Sequence, residues 1–151
     1  MTHESNAVSA QARAQDISAV ETVKAFVSAL ERLELDTASA MVSDDMRWVN
    51  GGWKTAGNKK RFAKVLHAMF KDASRFEVQY FDIHERDDGV VYTDRIDIFE
   101  GGGLAMRLPV QGEFRVRDGL VTDWVDSFSW AKLLGDIGRS LPAIIKHRFG
   151  R

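Results

Sequence analysis

Apolar residues recur at helical spacing early in the chain and alternate with polar ones in its second half. In SAVETVKAFVSALERLEL, Val20, Val23, Val27 and Leu30 fall on one side of a helix, and Phe26 and Leu33 widen the stripe. Ser18 and Glu21 form a capping box at its start. LDTASAMVS reads as a second, short helix capped by Asp36. DMRWVN is an extended piece, Met46 to Asn50, ending at Gly51-Gly52. NKKRFAKVLHAMFK returns to the helical period, with Phe62, Val65, Leu66 and Met69 on its apolar face and its basic residues opposite.

The period then changes to two. RFEVQYFDIHE sets Phe76, Val78 and Tyr80 against Glu77 and Gln79. RDDG is a turn, VVYTDRIDIFE the next strand, and GGG at Gly101 to Gly103 a further turn. LAMRLPVQGEFRVR is a long strand, expected to bend or bulge near Pro109. A hairpin turn at Arg117 to Gly119 leads into LVTDWVDSFSW, the last strand. From Trp130 to Phe149 the pattern predicts short helical pieces broken at Gly138 and Pro142. Helices followed by an antiparallel meander predict an α+β fold. A curved, mixed but mostly antiparallel sheet wrapped over the N-terminal helices makes a cone with a pocket on its concave face. That arrangement is similar to the nuclear-transport-factor-2-like, or cystatin-like, cone.

Length and composition narrow the partners. A chain of 151 residues, 44% hydrophobic and 10% aromatic, suits one cored domain, expected over residues 16–151 behind a polar, flexible segment at 1–15. Net charge is −1, which argues against a nucleic-acid surface, and KHRFGR reads as a solvated tail. There is no cysteine, which removes disulfides and thiolate chemistry and fits a reducing cytoplasm. No apolar run reaches the length of a membrane span, and the first residues lack a signal-peptide core. His67 and His84 have no metal-ligand partner at suitable spacing, so no metal site is expected.

The candidate chemistry lies in DRIDIF, Asp94 to Phe99. Residues two apart on a strand share a face, so Arg95 and Asp97 point the same way, with Thr93 and Phe99 in line. That face is either solvent, with the pair a surface salt bridge, or the wall of a polar cavity. In the last strand Asp126 shares a face with Trp124 and Phe128, and in the early extended piece Asn50 shares one with Trp48. Asn50, Arg95, Asp97 and Asp126 converging in one cavity would form a definite set. Arg stabilises one carboxylate as the anion, while burial and repulsion keep the other protonated. The outcome is a general acid paired with a general base, suited to adding water across a strained, polarisable bond. No metal or cofactor is expected.

These residues carry a family resemblance. WVN at Trp48 to Asn50, ASRFEVQ at Ala73 to Gln79, YTDRIDIF at Tyr92 to Phe99 and LPVQGEFRVRDGLVTDWVDSF at Leu108 to Phe128 resemble the limonene-1,2-epoxide hydrolase family, over roughly residues 18 to 135. The resemblance implies that Asp126 deprotonates water, Asp97 protonates the epoxide oxygen, Arg95 bridges both carboxylates, and Asn50 helps to hold the water. One departure is Trp48, where the family usually has Tyr. An indole N–H donates but cannot accept, and a water that donates to Asp126 and Asn50 can still take such a donor. Trp124, Phe128, Phe99, Met69 and Leu108 are the expected substrate-binding residues. The implied partners are water, a lipophilic epoxide and a second copy, in a homodimer packed through the sheet.

Two other readings use the same fold. One is an epoxide cyclase or an isomerase; a ketosteroid-isomerase-like site needs one Asp base and an oxyanion hole, which an Arg between two carboxylates fits poorly. The other is a non-catalytic ligand-binding module that keeps the polar trio as a buried network.

Overall fold

The two periodicities become two layers, a set of helices and one curved sheet. Residues 17–150 are described in this computed structural model, so the segment expected over 1–15 lies outside the described residues. They run α1 (Ala19–Glu31), α2 (Leu35–Ala40), β1 (Val42–Asn50), β2 (Trp53–Ala56), α3 (Lys59–Met69), β3 (Ala73–Glu85), β4 (Val91–Gly101), β5 (Leu104–Arg117), β6 (Leu120–Ser127) and α4 (Trp130–Phe149). The strand order is β2-β1-β6-β5-β4-β3. Every neighbouring pair is antiparallel except β1 with β6. This is the expected α+β cone.

Helix α1 starts as its sequence predicts, with Ser18 Oγ accepting from the Glu21 amide at 3.1 Å. Its buried face, Val23, Phe26, Val27 and Leu30, lies against the inner face of the sheet and forms the core with Phe62 and Leu66 of α3 and with Met46, Trp48, Phe114 and Trp124. Helix α3 is capped by Asn58, whose side chain accepts from the Arg61 amide at 2.8 Å. Met69, placed on the apolar face by its spacing, is 51% exposed. The helix ends at this residue, and its buried contacts stop one turn earlier, at Leu66.

Four local expectations are corrected. The second helix is shorter than predicted, because Val42 already pairs with Val121 in the sheet, and β1 begins there rather than at Met46. The capping position of that helix is Glu34, with Asp36 inside the first turn. The strand β2 was not predicted; its four residues show no alternation of their own and are held by pairing to β1. Near Pro109 the β4–β5 register runs unbroken from Val91↔Phe114 to Gly101↔Leu104. On the other edge of β5 the last β6 residue, Ser127, lies opposite Gln111, so no strand is paired beside Pro109 there. The amides of Ala105 and Arg107 point across that edge to Ser140 Oγ and Asp136 Oδ2 of α4, at 3.1 and 3.0 Å. Pro109 falls next in the same phase, where a missing N–H costs nothing.

The tail is likewise one helix rather than broken pieces. Asp136 and Ser140 anchor it to β5, and a side chain at Gly103 would run into the backbone of Ala143 and Ile144, so the turn glycine lets the helix approach. Pro142 is on the exposed side, where water can serve the carbonyl its ring leaves free. Among the described residues no helix is long and apolar enough to cross a membrane.

Candidate active site

Sheet register brings the candidate residues together. Asn50 lies beside Asp126 and Trp48 beside Trp124 across the parallel β1–β6 pair. Asp126 is opposite Gly112 of β5, and Gly112 is opposite Thr93 of β4. Thr93, Arg95 and Asp97 alternate inward along β4 and are buried, with Arg95 only 1% exposed. The Thr93–Arg95–Asp97 face of DRIDIF is therefore turned to the interior, and the solvent-side salt bridge is not formed.

Arg95 is the hub. Its Nε donates to Asp97 Oδ1 at 2.8 Å, and Nη2 donates to Asp97 Oδ2 at 3.2 Å and to Asp126 Oδ2 at 2.7 Å. Nη1 donates to Thr93 Oγ1 at 2.8 Å. The planar fork thus holds two carboxylates and is itself fixed by a hydroxyl. Burial would push the guanidinium down, but the charges of Asp126 and Asp97 outweigh it and hold it above its ordinary value. For Asp97 burial is the largest influence and pushes its carboxyl up to about 6, with Arg95 pulling against it and Asp126 adding to it.

Asp126 is aimed by a second donor. Trp124 Nε1 donates to Asp126 Oδ1 at 2.8 Å. The Trp124 ring stacks on Trp48 (5.1 Å, 14°) and on Phe114 (5.7 Å, 16°), and Phe26 meets it edge-on at 5.4 Å. An aromatic clamp therefore sets the indole that orients the carboxylate. Trp124 is thus a hydrogen-bond donor as well as an apolar wall, and the signal for this role is the W-x-D spacing itself.

Asn50 donates through Nδ2 to Thr55 Oγ1 at 3.0 Å, which turns its carbonyl oxygen free for another donor. Thr55 was missed because it sits in the unpredicted strand β2. Trp48 is 1% exposed, and its Nε1 has no hydrogen-bond partner among the described residues. The Tyr80 hydroxyl, on β3 opposite Arg95, is in the same condition, and burial pushes its phenol up.

Gly112 was also missed. A Cβ there would stand 2.7 Å from Asp126 Oδ1 and from Thr93 Oγ1 and would collide with Arg95 Nη1. Of the expected pocket residues, Leu108 is buried opposite Asp97, and Phe99 is half-buried against Phe70. Phe128 is half-buried with its ring 4.9 Å from that of Trp130. The exposed Met69 is not brought to the cluster.

The chain is an α+β cone of the nuclear-transport-factor-2-like fold that buries an Asp–Arg–Asp cluster beside stacked tryptophans. The profile of the limonene-1,2-epoxide hydrolase catalytic domain matches residues 17–139, and the chain belongs to that family. It is 32% identical over 123 residues to the epoxide hydrolase EphG of Mycobacterium tuberculosis, covering 82% of this chain and 81% of that protein. The structure of an LEH-like epoxide hydrolase from M. tuberculosis superposes with a TM-score of 0.71 at 32% identity, over 83% of this chain and 89% of that one. A protein assigned as a SnoaL-like polyketide cyclase from Shewanella putrefaciens matches at TM-score 0.71 and 11% identity, over 79% of this chain and 95% of that one, a likeness of fold alone.

Proposed function

We propose that the protein adds water to a lipophilic epoxide in one step, without a cofactor, giving a vicinal diol. Asp126 takes a proton from water while the water oxygen attacks an epoxide carbon. The carbon–oxygen bond opens, and Asp97 protonates the leaving oxygen. The Asn50 carbonyl accepts from the same water, and Trp48 donates to it. Trp124, Leu108, Phe99 and Phe128 supply the apolar surround. A homodimer packed through the sheet and a cytoplasmic setting complete the reading.

The observation that carries this reading is the double bridge of Arg95 to Asp97 and Asp126, with Asp97 raised to about 6. In the reactive form one carboxylate carries a proton and the other does not. After the ring opens the two have exchanged states, so the buried site holds the same net charge throughout. Arg95 touches both, and neither state leaves a buried charge unpaired. A single proton transfer from Asp126 back to Asp97 resets the pair.

The test is turnover of a panel of lipophilic epoxides in oxygen-18 water, with Asp126→Asn alongside. Labelled diol is expected from the wild type, with loss on the order of 10²-fold or more in the variant. An unlabelled cyclic ether would assign a cyclase instead, and no turnover across the panel would favour a binding module. Wild-type rates from a folded Asp126→Asn protein would remove the base.

A further inference from the structure

Helix α4 leaves one face uncovered. Trp130, Leu134, Leu141, Ile145 and Phe149 are 42%, 62%, 48%, 55% and 74% exposed. Gly138 lies in the same stripe, and a Cβ there would meet nothing. The opposite arc carries Asp136 and Ser140, which bind the edge of β5. Monomers rarely expose a contiguous apolar row of this kind.

The row is symmetric. From Trp130 through Leu134, Gly138, Leu141 and Ile145 to Phe149 the steps are 4, 4, 3, 4 and 4 residues, the same in either direction. Positions 11 apart on a helix fall nearly on one line, so the six positions form one continuous stripe. Antiparallel pairing with a second α4, about an axis between positions 139 and 140, sets Trp130 opposite Phe149 and Leu134 opposite Ile145. At the centre Leu141 meets Gly138, a bulky side chain over a residue that has none. An isologous interface requires such self-complementarity, whereas a lipid surface does not. Of the cations on this helix, Lys132 and Arg139 lie away from the stripe and are committed to Asp136, and Arg148 at its margin lies over the Phe149 ring.

We propose that α4 is a homotypic interface, in which a second copy of this chain covers the stripe by antiparallel helix pairing. Leu141, Ile145 and Phe149 lie beyond residue 139, where the family match ends. It is separate from a dimer through the sheet, and the two together would build a tetramer. A single helix pair buries less than the ~800 Å² per partner of a standard interface, so the assembly dissociates on dilution. One end of the pair bears on the site: Trp130 Nε1 donates to Gly51 O at 2.9 Å, and the Gly51 amide donates to Asp126 O at 2.8 Å.

Sedimentation of the full chain over a dilution series tests this. Leu134→Glu with Ile145→Glu, both already exposed, should halve the mass seen for the wild type at high concentration. Equal masses for wild type and variant overturn the proposal. In this cysteine-free chain, Leu134→Cys with Ile145→Cys should cross-link position 134 of one copy to position 145 of the other on oxidation, as peptide mass mapping would read. On one helix those positions are about 16 Å apart, so no link forms within a copy. Links only between two 134 positions, or none, overturn the antiparallel pair. Binding to phosphatidylglycerol vesicles that the Glu pair abolishes, with mass unchanged, assigns the face to lipid and also overturns it.

Discussion

Arg95 and Asp126 stand on β4 and β6 with the whole of β5 between them, yet Nη2 and Oδ2 are 2.7 Å apart. The contact passes over Gly112, the one residue between Thr93 and Asp126 in the register. The absence of a side chain at that point lets a guanidinium on one strand reach a carboxylate two strands away.

Gly112→Ala should therefore injure the site at its centre. The added methyl would press on Asp126 Oδ1 and Thr93 Oγ1, each 2.7 Å from its place. Overpacking a buried position costs ~1–3 kcal/mol, and here it falls on the charge pair. We expect a lower melting temperature and at least a tenfold loss of turnover, read by calorimetry and by diol formation. Unchanged values in both would mean that Arg95 reaches Asp126 by another path.

Arg95→Lys keeps the charge and loses the fork. One ammonium cannot reproduce the four donations to Asp97, Asp126 and Thr93. Stability should fall by less than the ~3–5 kcal/mol expected when a buried partner is removed outright. Most of the turnover should be lost with it. Denaturant unfolding and turnover on the same preparation check both parts, and a fully active variant would contradict the bridging role.

Asp97 sets a pH dependence. Its carboxyl stands at about 6 in the fold against an ordinary 3.8, so the folded chain holds the proton more tightly. The stabilisation linked to that proton is complete below 3.8 and is lost as pH rises through about 6. The difference in melting temperature between wild type and Asp97→Asn should change across this window and be constant above it. As the acid must be protonated, kcat/KM should descend above pH about 6, a limb that belongs to the Asp97–Asp126 pair. A profile flat from about pH 5 to 8 would exclude Asp97 as the acid.

The two stacked tryptophans should behave differently. Trp124→Phe removes a donor to a carboxylate, a bond worth ~1.5–3 kcal/mol, or roughly tenfold to a hundredfold in rate if felt at the transition state. Trp48→Phe removes the donor proposed to hold the water, a bond that would be worth about 0.5–1.5 kcal/mol and roughly three- to tenfold. Trp48→Tyr should stay active and shift preference toward bulkier epoxides. Single-turnover rates for the three variants rank the effects, and an unaffected Trp48→Phe would make that indole a wall.

The alternation of Phe76, Val78, Tyr80 and of Thr93, Arg95, Asp97 was legible because a strand's two faces are fixed by its own sequence. The same rule placed Trp124 with Asp126 and Trp48 with Asn50. Capping at Ser18 was legible because its partner is three residues away. Local patterns, with the family resemblance, sufficed for the fold class and for most of the buried polar cluster.

What the tertiary structure decided depends on contacts distant in sequence. Strand β1 starts at Val42 because Val121 pairs with it, and α4 stays continuous through Pro142 because Asp136 and Ser140 hold it to β5. Thr55 became a partner of Asn50 only once β2 paired with β1. Gly112 looks like any strand glycine until three side chains from two other strands crowd above it. Whether the face of Arg95 and Asp97 met solvent or the interior was likewise open in the sequence. A period of two determines which residues share a face, but only the packing of α1 against the sheet determines which face is buried.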